Sequence, residues 1–321
     1  MKNGSPFCIL HFAFLSGRPY IASMRWSAIP LLLLAFAAFA GDDLAPLSDE
    51  FNDASTLSQW QRIYAVEGWG ANQLERQDIN AAGSGRMVMM PFTSTWYNDY
   101  RGELTFKTVS GDFVVTTDVE ATSRSGSGPP RSQYSLGGIM VRVPRNVTPQ
   151  TWRPGGENYV FLSLGAASSP GTFQNEVKTT VSSVSTLIIT PAPSGRALIQ
   201  VARIGPYLIM LRNSDGNWVV HRRYVRADFP QTLQVGMTTY TDYPTCSTFA
   251  PVAHNSTVIH IGTPDLIASF DYFRFARPNV PPALATANLT DPVAVSDAQL
   301  LSFLGANAAV PRPSHRRAVG H

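Results

Sequence analysis

In the stretch TTDVEAT, Thr116, Asp118 and Glu120 fall at every second position, so on a strand they share one face against Thr117, Val119 and Ala121. Neighbouring side chains on that face stand roughly 7 Å apart, from a rise of about 3.3 Å per residue. Paired carboxylates on one face suit acid–base work on a glycosidic bond, where a retaining enzyme needs two of them about 5–5.5 Å apart. Asp118 and Glu120 are therefore the catalytic candidates. The plainer reading, which we prefer, is two solvated acids on a polar sheet face.

Other reactive groups are sparse. The chain has no Gly-x-Ser-x-Gly, and the Gly-Ser-Gly at 126–128 sits in a loop rather than in a strand-to-helix turn. Cys246, with His254 and His260 downstream, matches no common zinc spacing and reads as a loop thiol. His221, after NWVV, reads as a strand surface residue. Asp49, Glu50 and Asp53 cluster in SDEFND, and Asp271 lies in SFDYFRF near the other end. If the chain ends pair, Asp49, Asp53 and Asp271 could surround a calcium ion, which takes six to eight oxygens. The alternative has Asp53 bonding turn backbone and Asp271 pairing with an arginine.

Sugar binding needs aromatic platforms for the apolar faces of the rings and planar hydrogen-bonding groups for the hydroxyls. TSTWYNDYRGE concentrates Trp96, Tyr97, Asn98, Asp99, Tyr100 and Arg101. In GGIMVRV, Arg142 faces away from Ile139, Val141 and Val143; in LQVGMTTY, Gln234, Thr238 and Tyr240 share a face. Tyr159 follows the loop that carries Trp152. Trp96, Tyr97, Arg101, Arg142, Tyr159, Gln234 and Tyr240 form the candidate ligand-binding set.

These residues must be positioned by strands. RMVMMPF, GDFVVTTDVEATS, LGGIMVRV, NYVFLSL, NEVKTTVSSVSTLIIT, LQVGMTTYT and SFDYFRF are rich in β-branched and aromatic residues and bounded by turn formers. NSDGNW carries an Asp-Gly hairpin turn and Gly205-Pro206 a second turn, so Ala197 to Val225 reads as three successive antiparallel strands. In SFDYFRF strict alternation puts Phe270, Tyr272 and Arg274 on one face and Asp271, Phe273 and Phe275 on the other, with Phe273 and Phe275 as core candidates. This strand is expected to close the fold beside SDEFND, leaving Arg274 as a surface cation. Segments 123–133, 143–158 and 241–266 read as long surface loops.

At the N-terminus Arg25, the apolar run Ile29 to Phe39 and Ala38-Phe39-Ala40 have the form of a secretory signal. The run is shorter than the roughly 20 residues that span a bilayer. The expected organisation is an upstream over-extension at 1–23, a signal at 24–40, one domain at 41–278, and a linker, short helix and disordered tail at 279–321. Ser296 and Gln299 are placed for a capping box on that helix, with Gly305 ending it. Without residues 1–40 the chain carries 22 basic and 22 acidic side chains, which argues against a nucleic-acid partner. It also keeps only one cysteine, so no internal disulfide forms. A secreted protein without stable membrane insertion is expected.

In their order, LSDEFNDASTLSQW, GDFVVTTDVEA, GGIMVRV, ENYVFLSLG, LIQVARIGPYLIMLRNSDGNWV, LQVGMTTYT and SFDYFRF resemble concanavalin A-like lectin and glucanase domains, in particular a secreted bacterial subgroup found beside glycosidase modules. The resemblance covers roughly residues 47–277. It implies an all-β, concanavalin A-like jelly-roll β-sandwich, here with a short C-terminal helical extension and with any ligand on the concave face or rim loops. Retaining glycosidases of that fold carry Glu-x-Asp-x-Glu on a strand; here the nucleophile position falls on Thr116, which cannot do that work. Three readings follow: a non-catalytic carbohydrate-binding domain with a polysaccharide or glycan partner, a glycoside hydrolase or polysaccharide lyase, or a structural, adhesive protein. A concave face plugged by apolar side chains favours the third. No cofactor is called for, apart from the structural calcium that the Asp49, Asp53 and Asp271 reading leaves open.

Overall fold

The computed structural model describes residues 42–69 and 71–308. The expected signal (24–40), the over-extension (1–23) and the end of the tail lie outside the described residues. Among the described residues, fourteen strands form two sheets of seven, every pairing antiparallel. The first sheet runs β1 (Gln61–Arg62), β4 (Glu103–Ser110), β13 (Thr232–Tyr240), β6 (Ser135–Arg142), β7 (Tyr159–Ala166), β8 (Gln174–Val181), β9 (Val184–Pro191). The second runs β12 (Trp218–Val225), β11 (Tyr207–Asn213), β10 (Arg196–Ile204), β5 (Phe113–Thr122), β14 (Ile267–Ala276), β3 (Met87–Pro91), β2 (Leu74–Ile79). The fold is the all-β jelly-roll sandwich that the strand patterns imply.

Alternation explains the core. Val115 and Val119 of β5, Ile139 and Val141 of β6, Leu162 of β7, and Val235 and Met237 of β13 meet between the sheets. The turn signals hold: β10, β11 and β12 are consecutive antiparallel neighbours, with Gly205 at φ 55° and Gly216 at φ 91° in the two turns. The hairpin from β8 to β9 uses Ser182 and Ser183 at φ 46° and 64°, a left-handed pair that favours glycine or asparagine and that no residue type advertises.

β14 departs from strict alternation. Its register against β5 jumps between Phe270 and Phe273, a bulge that places Asp271 and Tyr272 in the irregularity. Phe270 therefore joins Phe273 and Phe275 in the core instead of sharing a face with Tyr272 and Arg274. The chain ends meet here as expected: Asp49 bridges Phe273, and Ser48 Oγ donates to the Phe275 carbonyl. Arg274 is not a surface cation. It is buried over the Tyr272 ring and forks onto Glu50 at 2.6 and 2.7 Å.

The stretch after residue 278 is no linker. Leu284, Leu289, Val295, Leu300, Phe303 and Leu304 pack on Val114, Ala202, Ile209 and Leu211, covering part of the outer face of the second sheet. Arg223 of β12 holds this segment by donating to the carbonyls of Leu289 (3.0 Å) and Val295 (2.7 Å). Helix α4 (Asp297–Leu301) has the expected capping box from Ser296 and Gln299, and Gly305 follows at φ 65°.

Candidate functional site

The outer face of the first sheet carries most of the residues expected to line a concave, ligand-binding face. Register sets its rows: Gln234, Arg142, Tyr159, Thr180 and Ser185 lie across from one another, as do Phe106, Gly236, Met140, Phe161, Lys178 and Leu187. A third row contains Leu104, Thr238, Gly138, Ser163, Glu176 and Ile189. Gly236 is forced by packing, since a Cβ there would meet the Thr105 carbonyl oxygen at 2.0 Å and the Phe106 backbone at 2.5 Å.

The structure thus brings Arg142, Tyr159, Gln234 and Tyr240 onto one face, with Trp96 and Arg101 laid over it, but not in an open groove. Trp96, Arg142, Tyr159 and Tyr240 are 0% exposed, Arg101 2% and Gln234 4%. They form a sealed layer with Leu104, Phe106, Leu136, Met140 and Phe161. The seal comes from helix α1 (Ile63–Val66) with Glu67 and Trp69, the 92–102 segment, and the loop carrying Trp152. Short helices α2 (Tyr243–Cys246) and α3 (Pro251–Ser256) complete it. Of the candidate set, Tyr97 lines the pocket described below. The others correct the expectation: loops that read as rim in the sequence fold down and fill the face.

Under the seal, charge is paired. Arg142 donates to Glu157 (3.0 Å), Glu67 (2.8 Å) and Gln234 Oε1 (2.8 Å); Arg145 reaches Glu157 at 2.5 Å, and Arg101 bonds Glu67. Burial pushes the Glu157 carboxyl up, but the two guanidiniums hold it below its ordinary value. Burial lowers Arg101 to about 10 despite Glu67. Arg142 stays raised, because Glu157 and Glu67 outweigh desolvation. Such a network fixes loop positions; its guanidiniums have no free fork for a ligand.

Beside it, the face opens into a pocket of about 120 Å³ lined by Thr95, Tyr97, Tyr134, Lys178, Leu187 and Tyr243. Tyr243 stands edge-on to both Tyr97 (5.6 Å between centroids, 73°) and Tyr134 (5.5 Å, 72°). Lys178 Nζ donates to the Trp96 carbonyl at 2.7 Å and lies 4.9–5.9 Å from the ring centroids of Phe161, Tyr240, Tyr97 and Tyr134. Burial lowers the Lys178 ammonium, partly offset by Glu176. Glu176 Oε1 is ion-paired with Nζ at 2.9 Å, and neither Glu176 oxygen accepts a hydrogen bond from any other group among the described residues. Burial raises the Tyr134 and Tyr243 hydroxyls, so these phenols stay protonated donors.

Sequence reasoning passed over Glu176, Lys178, Tyr134 and Tyr243. The signal for the first two was present: in NEVKTT, Glu176, Lys178 and Thr180 alternate against Val177, a charged face on a strand with few turn formers nearby.

The remaining candidates lie elsewhere. Asp118 and Glu120 project from β5 of the second sheet, on its opposite outer face. Asp118 is forked by Arg196 (2.9 and 2.7 Å) and Glu120 is bonded by Arg86 at 2.5 Å. Thr116 is buried under the C-terminal segment, accepting from Gln200 at 2.8 Å. Asp49 accepts from the Trp60 indole (3.0 Å) and Phe51 N–H (2.9 Å), and Asp53 caps a turn by accepting from Ser55 N–H at 2.9 Å. With Asp271 they make no cluster: among the described residues no three His, Cys, Asp or Glu side chains are placed to hold a metal ion. Cys246 is buried rather than a loop thiol at the surface, and burial pushes its pKa up, with Asp242 adding to the shift.

No protein family model matches the chain, and no curated protein matches it in sequence. Among solved structures, a functionally unknown protein from Saccharomyces cerevisiae is 15% identical at TM-score 0.44, covering 69% of this chain and 98% of that one. The GH43 protein BlXynB from Bacillus licheniformis is 11% identical at TM-score 0.47; the match covers 72% of this chain but 39% of that one. A basic winged bean lectin, solved with Tn-antigen, is 12% identical at TM-score 0.42, covering 71% of this chain and 96% of that one. At these identities and scores they say nothing of a ligand or a reaction.

Proposed function

We propose that the protein is a secreted, non-catalytic carbohydrate-binding protein whose binding point is the pocket of Tyr97, Tyr134 and Tyr243. The observation that carries this reading is the three-tyrosine box itself, with Thr95 and the Lys178 ammonium at its base. Aromatic walls suit the apolar face of a sugar ring, and phenol, hydroxyl and ammonium groups suit its hydroxyls. No carboxylate lines this pocket, and Asp118 and Glu120 belong to the other outer face, so the binding reading needs no bond cleavage.

A screen of the protein against a glycan array and against soluble polysaccharides tests it. Binding without new reducing or unsaturated ends is the expected result, and new ends would overturn the non-catalytic reading. The protein used must reach residue 308, because residues 279–308 belong to the folded body. The sealed layer of Trp96, Tyr159 and Phe161 favours a second reading, a structural or adhesive protein without a small-molecule site. A folded protein that binds no glycan in that screen selects it. Export is checked by N-terminal sequencing of the protein recovered outside the cytoplasm, with cleavage expected after Ala40.

A further inference from the structure

Resting on the carbohydrate reading, we propose that the pocket takes the terminal residue of an uncharged glycan chain and rejects interior residues and acidic sugars. An interior residue leaves a binding site through two openings, one for each neighbouring sugar. Here the pocket floor is Lys178, pinned to the Trp96 carbonyl at 2.7 Å. Beyond it the face continues as the sealed layer of Trp96, Tyr159, Phe161 and Tyr240, all 0% exposed. The walls of Tyr97, Tyr134 and Tyr243 are locked edge to face, and Leu187 of the edge strand β9 bounds the pocket on the sheet itself. Bounded in this way, the pocket is proposed to admit a chain by its end. The space of about 120 Å³ is small beside the roughly 300–1,000 Å³ of sites for drug-sized ligands, and fits one ring rather than a run of them.

Charge supplies the second half. Lys178 is the one charged residue in the lining, and Glu176 stands 2.9 Å from its ammonium. The pair is neutral as a unit. An acidic sugar that approaches Lys178 meets the Glu176 carboxylate behind it, and a basic sugar meets Lys178 first. No guanidinium reaches the pocket, because Arg142 and Arg145 are bound to Glu157 and Arg101 to Glu67. The groups that remain for a ligand are uncharged hydroxyls, aromatic faces and one spare ammonium hydrogen, which suit a neutral pyranose.

The test uses the full chain and isothermal titration with neutral gluco-, manno-, galacto- and xylo-configured glycans, each as a linear oligosaccharide and as a long polymer, together with oligogalacturonate. End recognition makes half-saturation track the molar concentration of chain ends, so that at equal mass a polymer binds more weakly in proportion to its length. Oligogalacturonate is expected at least tenfold weaker than the best neutral series, and Tyr243→Ala should lose at least tenfold in affinity while its circular dichroism shows the folded protein. Binding that tracks mass, or a preference for the uronate, overturns the end-recognition proposal and leaves the carbohydrate reading standing. Full affinity in Tyr243→Ala puts the site elsewhere and overturns it too. Absence of binding in every series overturns both.

Discussion

The outer face of the second sheet is sealed by Leu284, Leu289, Val295, Leu300, Phe303 and Leu304, a strap of apolar side chains. The outer face of the first sheet is sealed at the same depth by loops that bring in Arg101, Arg142, Glu67, Glu157, Glu176 and Lys178 among aromatic rings. The apolar seal needs only area removed from water. The polar seal is stable only while every buried charge keeps its partner, since an unpaired one costs several kcal/mol. That requirement makes the first face specific in its geometry, and its pocket lies beside a buried carboxylate, Glu176, that is paired with the Lys178 ammonium.

Breaking the polar seal should have the largest effect. Arg142→Ala takes away the guanidinium that Glu67 and Glu157 share, leaving Glu67 with Arg101 and Glu157 with Arg145, and is expected to cost about 3–5 kcal/mol in denaturant unfolding. A loss under about 1 kcal/mol would show that water already reaches this layer. On the apolar side, Leu304→Ala should cost about 2–5 kcal/mol by cavity formation, and it should do so without changing glycan affinity. Weakened binding in Leu304→Ala would mean the two faces are coupled, against the division drawn here.

Acid should separate the faces next. His254 of α3 accepts from Thr95 N–H at 3.1 Å, and Thr95 lines the pocket. Burial lowers His254 to about 4, with Arg101 adding to the shift against Asn255. Its folded pKa is depressed, so the unfolded chain takes the proton first. The stabilisation is complete above about pH 6.5 and is lost as pH falls toward 4, amounting to about 3 kcal/mol. His221 of β12, also lowered to about 4, acts in the same direction, and Glu157, held low by its guanidiniums, adds a further loss below the ordinary carboxylate range. His254→Gln should flatten the slope of unfolding free energy between pH 4 and 6.5, whereas Leu304→Ala should leave it unchanged. An unaltered slope in His254→Gln would remove the histidine from the seal.

How much of this was legible depended on the kind of signal. Parity along a strand put Gln234 and Tyr240 on one face and turned Arg142 away from the core from sequence alone, while only the strand register brings them and Tyr159 together; the Asp-Gly and Gly-Pro turns fixed three consecutive strands. Burial of that face was not legible, because it is decided by where loops 92–102 and 143–158 land, which no local period encodes. The bulge at Asp271 and Tyr272 reversed the parity of Phe270 for the same reason: one extra residue is invisible to an alternation that looks intact. In RPNVPPALATANLTDP the apolar residues Leu284 and Leu289 follow no helical or strand period, so a packed strap reads as a linker. Glu176 and Lys178 were readable as a charged strand face, but their value lies in a neighbour, Trp96, about 80 residues away in sequence.

The smallest expected effect is at the carboxylates that the sequence offers first. Asp118 and Glu120 are surface ion-pair partners on the uncovered part of the second face: Arg196 is 50% exposed in its pair with Asp118, and Glu120 is 39% exposed in its pair with Arg86. Exposed pairs of this kind contribute about 0–1 kcal/mol, because solvent screens them and two long side chains must be held still. Asp118→Asn and Glu120→Gln should therefore each shift stability by less than about 1 kcal/mol and leave glycan binding unchanged. A sugar-cleaving activity that disappears in either variant would falsify the assignment of the two faces, since catalysis would then reside on the side read here as inert. The arginine partners stand against that outcome, besides the threonine at position 116. Each carboxylate already accepts from a guanidinium, and a nucleophile or acid so held must break its ion pair before it can reach a glycosidic oxygen.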